Sequence, residues 1–230
     1  MQRIKFHFRE PIEPIRSIRH KIRSIRIMND VIVFDIETKN FFTDPEVGWG
    51  NFEALRVSML CAYSYAQDTY FSFTEHELDA AAELFRDAGT IVGFSINHYD
   101  VPILHLHFQR LADPALRVNL WEKQRFDIAE KIEDIAKQRI SLSRLASANL
   151  GVKKERHGSE AIALYRDGKM GELREYCMND VRLTKDIYEL MVRDGVLLMP
   201  DHDTHELMKV DFKNNSFISV NAPAATASLF

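Results

Sequence analysis

The run Val31-Ile32-Val33-Phe34-Asp35-Ile36-Glu37-Thr38 governs how the rest of the chain is read. Four apolar residues, three of them β-branched, lead straight into two carboxylates separated by one isoleucine. Near-continuous apolar character is what a strand covered on both faces shows. Side chains alternate along a strand, so Asp35 and Glu37 share a face. Two adjacent carboxylates at the end of a core strand repel each other and resist desolvation, so they need a proton or a cation.

Moving outward, the elements alternate. Arg56–Tyr65 and Thr69–Phe73 read as a hairpin turning near Gln67-Asp68. Glu75–Ala88 reads as a helix stopped at Gly89, and Thr90–Phe94 as the next buried strand. Pro102 suits the first turn of a helix running to about Leu111. Arg125-Phe126-Asp127-Ile128 is a candidate last strand, with Asp127 and Glu130 as a capping box for Ile128–Lys137. Ser141–Leu150 is a small amphipathic helix, and Gly171–Gly195 a long one with a stripe through Leu173, Tyr176, Cys177, Val181, Thr184 and Ile187. This alternation predicts an α/β class, a layered fold around a central sheet.

The chain has 230 residues, enough for a sizeable core, with 46% hydrophobic and 28% charged residues. No stretch has the length of a membrane helix, so no membrane association is expected. Cys61 and Cys177 lack metal-motif spacing and form no disulfide framework, which points to a reduced, cytoplasmic setting. The formal charge of −4 conceals an asymmetry, because residues 1–27 hold eight Lys/Arg against two Glu and leave 22 basic and 32 acidic residues in 28–230. The body is therefore no ordinary basic nucleic-acid binder; phosphates would be met through bound cations or local patches. Residues 1–27 read first as a disordered extension, with a nucleic-acid- or partner-binding arm as the other reading. Residues 28–198 form the expected domain, and 199–230 a C-terminal tail.

Further acids are then sought for the first pair. Asp100 falls at the start of a helix, where taken alone it reads as a cap. Asp180 occupies an apolar helical stripe, and an inward aspartate needs a partner or a cation. Tyr176 lies one turn earlier on the same face. Four carboxylates converging on one sheet end are tenable with hard divalent cations, and oxygen-only ligation suits Mg²⁺ or Mn²⁺. Two such ions clamp the attacking and leaving oxygens of a phosphodiester displacement. Around them, Thr38 and Asn97 are candidate substrate contacts. Phe41 and Trp49, in the aromatic loop 39–55, either stack on bases or cap a core edge. Lys154 and His157 either approach a phosphate backbone or sit in a solvated loop.

Asp35-Ile-Glu37, Asn97-x-x-x-Asp100 and Tyr176-x-x-x-Asp180 resemble the three motifs of the DEDD superfamily of 3′–5′ exonucleases, built on a ribonuclease H-like fold. Ser141-Leu142-x-x-Leu145 and Glu175–Val181 are similar to the branch near the proofreading domain of family B DNA polymerases and the YprB-type ribonuclease H-like domains. The histidine branch carries His five positions before the last Asp; Glu175 stands there, while Tyr176 fits the DEDDy branch. The resemblance covers about residues 30–195. It implies a three-layer fold with a mixed sheet and hydrolysis of single-stranded or frayed 3′ ends of DNA or RNA, DNA somewhat favoured, in a DNA-repair-like role. It also implies a first metal on Asp35, Glu37 and Asp180, with Asp35 bridging to a second, Asp100 acting through the second metal's water, and Tyr176 orienting the attacking water. A helicase or polymerase acting in trans is the implied partner. The rival expectation is a nucleic-acid- or partner-binding module of the same fold with little turnover.

Overall fold

The computed structural model describes residues 29–152 and 159–220. The basic extension 1–27, Lys154 and His157 lie outside them.

β1 (Asp30–Thr38) is the central strand of a five-stranded sheet. On one side it pairs antiparallel with β2 (Val57–Ser64), which turns at Asp68, in left-handed conformation, into the antiparallel β3 (Thr69–Thr74). On the other side it pairs parallel with β4 (Ala88–Gly93), and β4 with β5 (Gln124–Asp127), giving the order β3-β2-β1-β4-β5. The expected ribonuclease H-like architecture, a mixed sheet flanked by helices, is the one observed.

The alternation of β1 divides the interior. Ile32, Phe34 and Ile36 point into one core with α1 (Leu78–Arg86) and α2 (Asp100–Gln109). Val33 points into a second, with α3 (Ile128–Ala136), α4 (Leu142–Leu150), α5 (Ser159–Arg166) and α6 (Met170–Asp194). Covering both faces explains the unbroken apolar run Val31–Phe34 of β1 and the apolar stretch Met59–Tyr63 of β2. Of β2, all eight residues are buried. α6 ends where Gly195 takes φ +72°, a left-handed stop that glycine adopts without steric cost.

The parallel β1–β4 ladder ends at Val33–Val92. At Gly93 the chain passes so close to β1 that an added Cβ would lie 3.0 Å from the Phe34 carbonyl oxygen and 2.1 Å from Ile96 Cγ2. Beyond it the chain veers off, and the second half of β1 has no strand on that side.

Three expectations change in detail. The helix expected from Glu75 begins as a 3₁₀ turn, Glu75–Glu77, capped by Thr74, and becomes α1 only at Leu78. Asp127 does cap α3, accepting from the Glu130 N–H, but the Glu130 carboxylate binds Asn97 at 2.6 Å instead of completing a capping box. The stretch expected as a tail contributes two strands, because β6 (Val196–Pro200), β7 (Leu207–Asp211) and β8 (Ser216–Ser219) form an antiparallel meander. Its Leu197, Met199 and Val210 are buried in the core on the α6 side. No helix among the described residues is long and apolar enough to cross a membrane.

Candidate metal centre

The register of β1 on β2 fixes where its acids point. Val33 faces Tyr63, Asp35 faces Cys61 and Glu37 faces Met59 across the ladder. Residues opposite each other share a sheet face, and Tyr63, Cys61 and Met59 all belong to the core under α6. Asp35 and Glu37 are thereby aimed at α6, which presents Tyr176, Cys177 and Asp180 along its buried stripe. Carboxylate oxygens of Asp35, Glu37 and Asp180 come within 4.8 Å of one another, a group that could hold a divalent metal ion. Three of the four acids expected from the sequence therefore meet.

Asp100 stands beside this group in a different way. Its Oδ1 accepts the Ile36 N–H at 3.0 Å. Ile36 lies between the two acids of β1, past the last residue paired with β4. Asp100 thus takes the place of the missing strand partner, tying the divergent end of β1 to the N-terminus of α2.

The electrostatics follow from crowding acids at a half-buried sheet end. One oxygen of Asp35, Oδ2, is sealed from solvent with no hydrogen-bond partner among the described residues. Burial, then Asp100, Glu37 and Asp180, hold the Asp35 carboxyl well above the usual carboxylate range. Burial pushes Asp100 up to about 7, against the lowering effect of the Ile36 N–H. Tyr176 is buried, and its phenol is raised by that burial and by Asp180, Glu37 and Asp35. It stays protonated through the neutral range, a hydrogen-bond donor and no base.

The floor is sulfur. Cys177 Sγ donates to the Asp35 carbonyl at 3.5 Å, and Cys61 Sγ to the Arg174 carbonyl at 3.8 Å. Burial and its neighbour Cys61 push the Cys177 thiol well up, so it is not a thiolate ligand. An orphaned buried oxygen in an all-carboxylate donor set fits a hard cation such as Mg²⁺ or Mn²⁺.

The outlying candidates are dispersed. Thr38 is buried, its hydroxyl donating to the Asn40 carbonyl and meeting the Tyr99 hydroxyl, each at 2.9 Å. Both ends of the Asn97 amide are taken, by Glu130 at 2.6 Å and by Arg125 Nε at 3.0 Å. That amide knits the loop before α2 to β5 and α3, with Asp127 accepting the Ser95 and Asn97 N–H groups at 2.8 and 2.9 Å. Phe41 is half-buried, whereas Trp49 is 82% exposed. Phe42, one of the aromatics of loop 39–55, and Tyr99, which sequence reasoning passed over, link Trp49 to Thr38; the place of Tyr99 is a matter of tertiary proximity and left no local signal.

Among solved structures, the chain is similar to the family B DNA polymerase from the hyperthermophilic archaeon Pyrobaculum calidifontis, with a TM-score of 0.55 and 21% identity over 71% of this chain and 24% of the polymerase. The chain spans about a quarter of that polymerase, and at this identity the likeness is one of fold. No curated protein matches the chain in sequence. The family model RNase_H_2, described as RNase_H superfamily, matches residues 32–192, a stretch that opens within β1 and closes within α6, so that it holds all the acids described above. The chain belongs to the RNase_H superfamily.

Proposed function

We propose that the protein is a metal-dependent 3′–5′ exonuclease that hydrolyses single-stranded or frayed nucleic acid. The observation that supports this most is the meeting of Asp35, Glu37 and Asp180, together with a buried Asp35 oxygen that has no hydrogen-bond partner among the described residues. Such a group is destabilised by its own repulsion unless cations neutralise it, and family membership points the neutralised site at nucleic acid.

Asp35, Glu37 and Asp180 would hold the metal. Two divalent ions, when bound, supply Lewis-acid stabilisation of charge on the attacking and leaving oxygens of a phosphodiester. The chain's own residues do the rest. Asp100 anchors β1 through the Ile36 N–H, the backbone group between the two β1 carboxylates, and so helps to place them. Tyr176, kept protonated by burial and then by its acidic neighbours, donates to and orients the attacking water.

The test is a 5′-labelled oligonucleotide incubated with Mn²⁺. The expected result is a ladder shortening from the 3′ end, slowed about 10²–10³-fold by Asp35→Ala. Equal degradation by both proteins would sink the proposal, and fragments from internal cuts would remove the exonuclease part of it.

A further inference from the structure

Loop 39–56 is an organised structure. Asn40 bridges its ends, donating to the Ala54 carbonyl at 3.0 Å and accepting the Arg56 N–H at 3.1 Å. Asp44 accepts the Phe41 N–H and pairs with Arg166 of α5, both at 3.0 Å, and Glu53 pairs with Arg110 beyond α2 at 3.2 Å. This framework holds Trp49 out into solvent, 82% exposed. An isolated exposed aromatic carries no meaning by itself. Trp49, however, lies nearly parallel to Phe42, with ring centroids 6.2 Å apart and planes at 18°. Phe42 meets Tyr99 and Phe52 in T-shaped pairs, with ring centroids 5.9 and 5.0 Å apart. The single hydroxyl hydrogen of Thr38 goes to the Asn40 carbonyl, so Tyr99 is the donor in the bond between them. A continuous chain of contacts therefore runs from Trp49 through Phe42 and Tyr99 to Thr38, the residue next to Glu37.

We propose that Trp49, backed by Phe42, is a stacking platform for an unpaired nucleobase, placed by Tyr99 and Thr38 at a fixed offset from the carboxylate group. The inference rests on the nucleic-acid substrate proposed above. Charge accounts for why a stacking face is needed. With 22 basic against 32 acidic residues in 28–230, the body offers no long-range attraction for phosphates. Local attraction comes from Arg110 at the loop's flank, whose ion pair with Glu53 is solvent-exposed, whereas Arg166 is held by the largely covered Asp44. Exposed pairs of this kind hold weakly, so a guanidinium can exchange its carboxylate for a phosphate. Stacking on an aromatic face is indifferent to base identity, which suits a strand drawn through step by step.

The test is binding in EDTA, where no hydrolysis occurs, so it reads the platform independently of the exonuclease reading. In a Trp121→Phe background Trp49 is the sole tryptophan. Single-stranded oligo-dT should quench its fluorescence, and an abasic oligonucleotide of equal length should not. By anisotropy, Trp49→Ala should weaken oligo-dT binding about five- to a hundredfold, and Trp49→Phe should restore most of it. Unchanged oligo-dT affinity in Trp49→Ala, or equal quenching by the abasic strand, would overturn the inference while leaving the exonuclease reading intact. Clear quenching without any Mn²⁺-dependent degradation would do the reverse.

Discussion

Replacing Asp100 by Asn keeps a side-chain oxygen within reach of the Ile36 N–H but removes a negative charge from beside Asp35. Replacing it by Ala removes both. In metal-free protein the two changes should part company. Asp100→Ala strands a buried N–H, at a cost of about 1–3 kcal/mol, whereas Asp100→Asn should melt at or above the wild type at pH 8. The pH dependence has a definite sign. A carboxyl raised from 3.8 to about 7 on folding binds more protons folded than unfolded. Stability in EDTA should therefore fall as pH climbs from about 4 through about 7, and less so in Asp100→Asn. Thermal melts at pH 5 and pH 8 check this; equal destabilisation by Asn and Ala would count against the positioning role. The sequence made Asp35, Glu37 and Asp180 conspicuous because each sits where an apolar residue belongs. Asp100 was ambiguous, since a helix cap and an acid bound to a distant strand carry the same local signature.

At the scale of elements, the departure of β4 from β1 is what opens the site, and Gly93 is where it happens. Gly93→Ala would press a methyl group against the Phe34 carbonyl and Ile96. Overpacking of this sort costs about 1–3 kcal/mol, or about 2–4 °C per kcal/mol for a chain of this size. A thermal melt reads it, and an unshifted midpoint would mean that the strand ends are less closely fitted than described. Long elements with strong periodicity, β1, β2 and α6 above all, were plain in the sequence. The eight-residue α5 and the four- and five-residue strands β8 and β7 were not, because so few residues cannot establish a period before it is interrupted. Their folding is decided by the surface they cover. Glu130 makes the same point, diverted from a local cap to Asn97 by a neighbour 33 positions away.

For the whole molecule, the two cores share one sheet, and the acids occupy the rim of the core under α6. Metal should accordingly act on global stability. At a hundredfold excess over its dissociation constant a bound ion contributes about 2.7 kcal/mol, so Mn²⁺ should raise the melting temperature by about 5–10 °C. Asp35→Ala should abolish most of that rise; an equal rise in the variant would place the ion elsewhere. The alternation of β1 has one more consequence. Its odd-numbered residues from Val33 make the site and its even-numbered residues from Ile32 make the opposite core. A slip of one residue against β2 would turn Asp35 and Glu37 into the packing of α1 and α2, and bring Phe34 and Ile36 up to α6. Such a chain could not bury its interior. A mispaired β1 therefore has no well-folded but inert form to rest in: evolution cannot trade away the register of this strand to repair the core without losing the acids, nor shift the acids without losing the core.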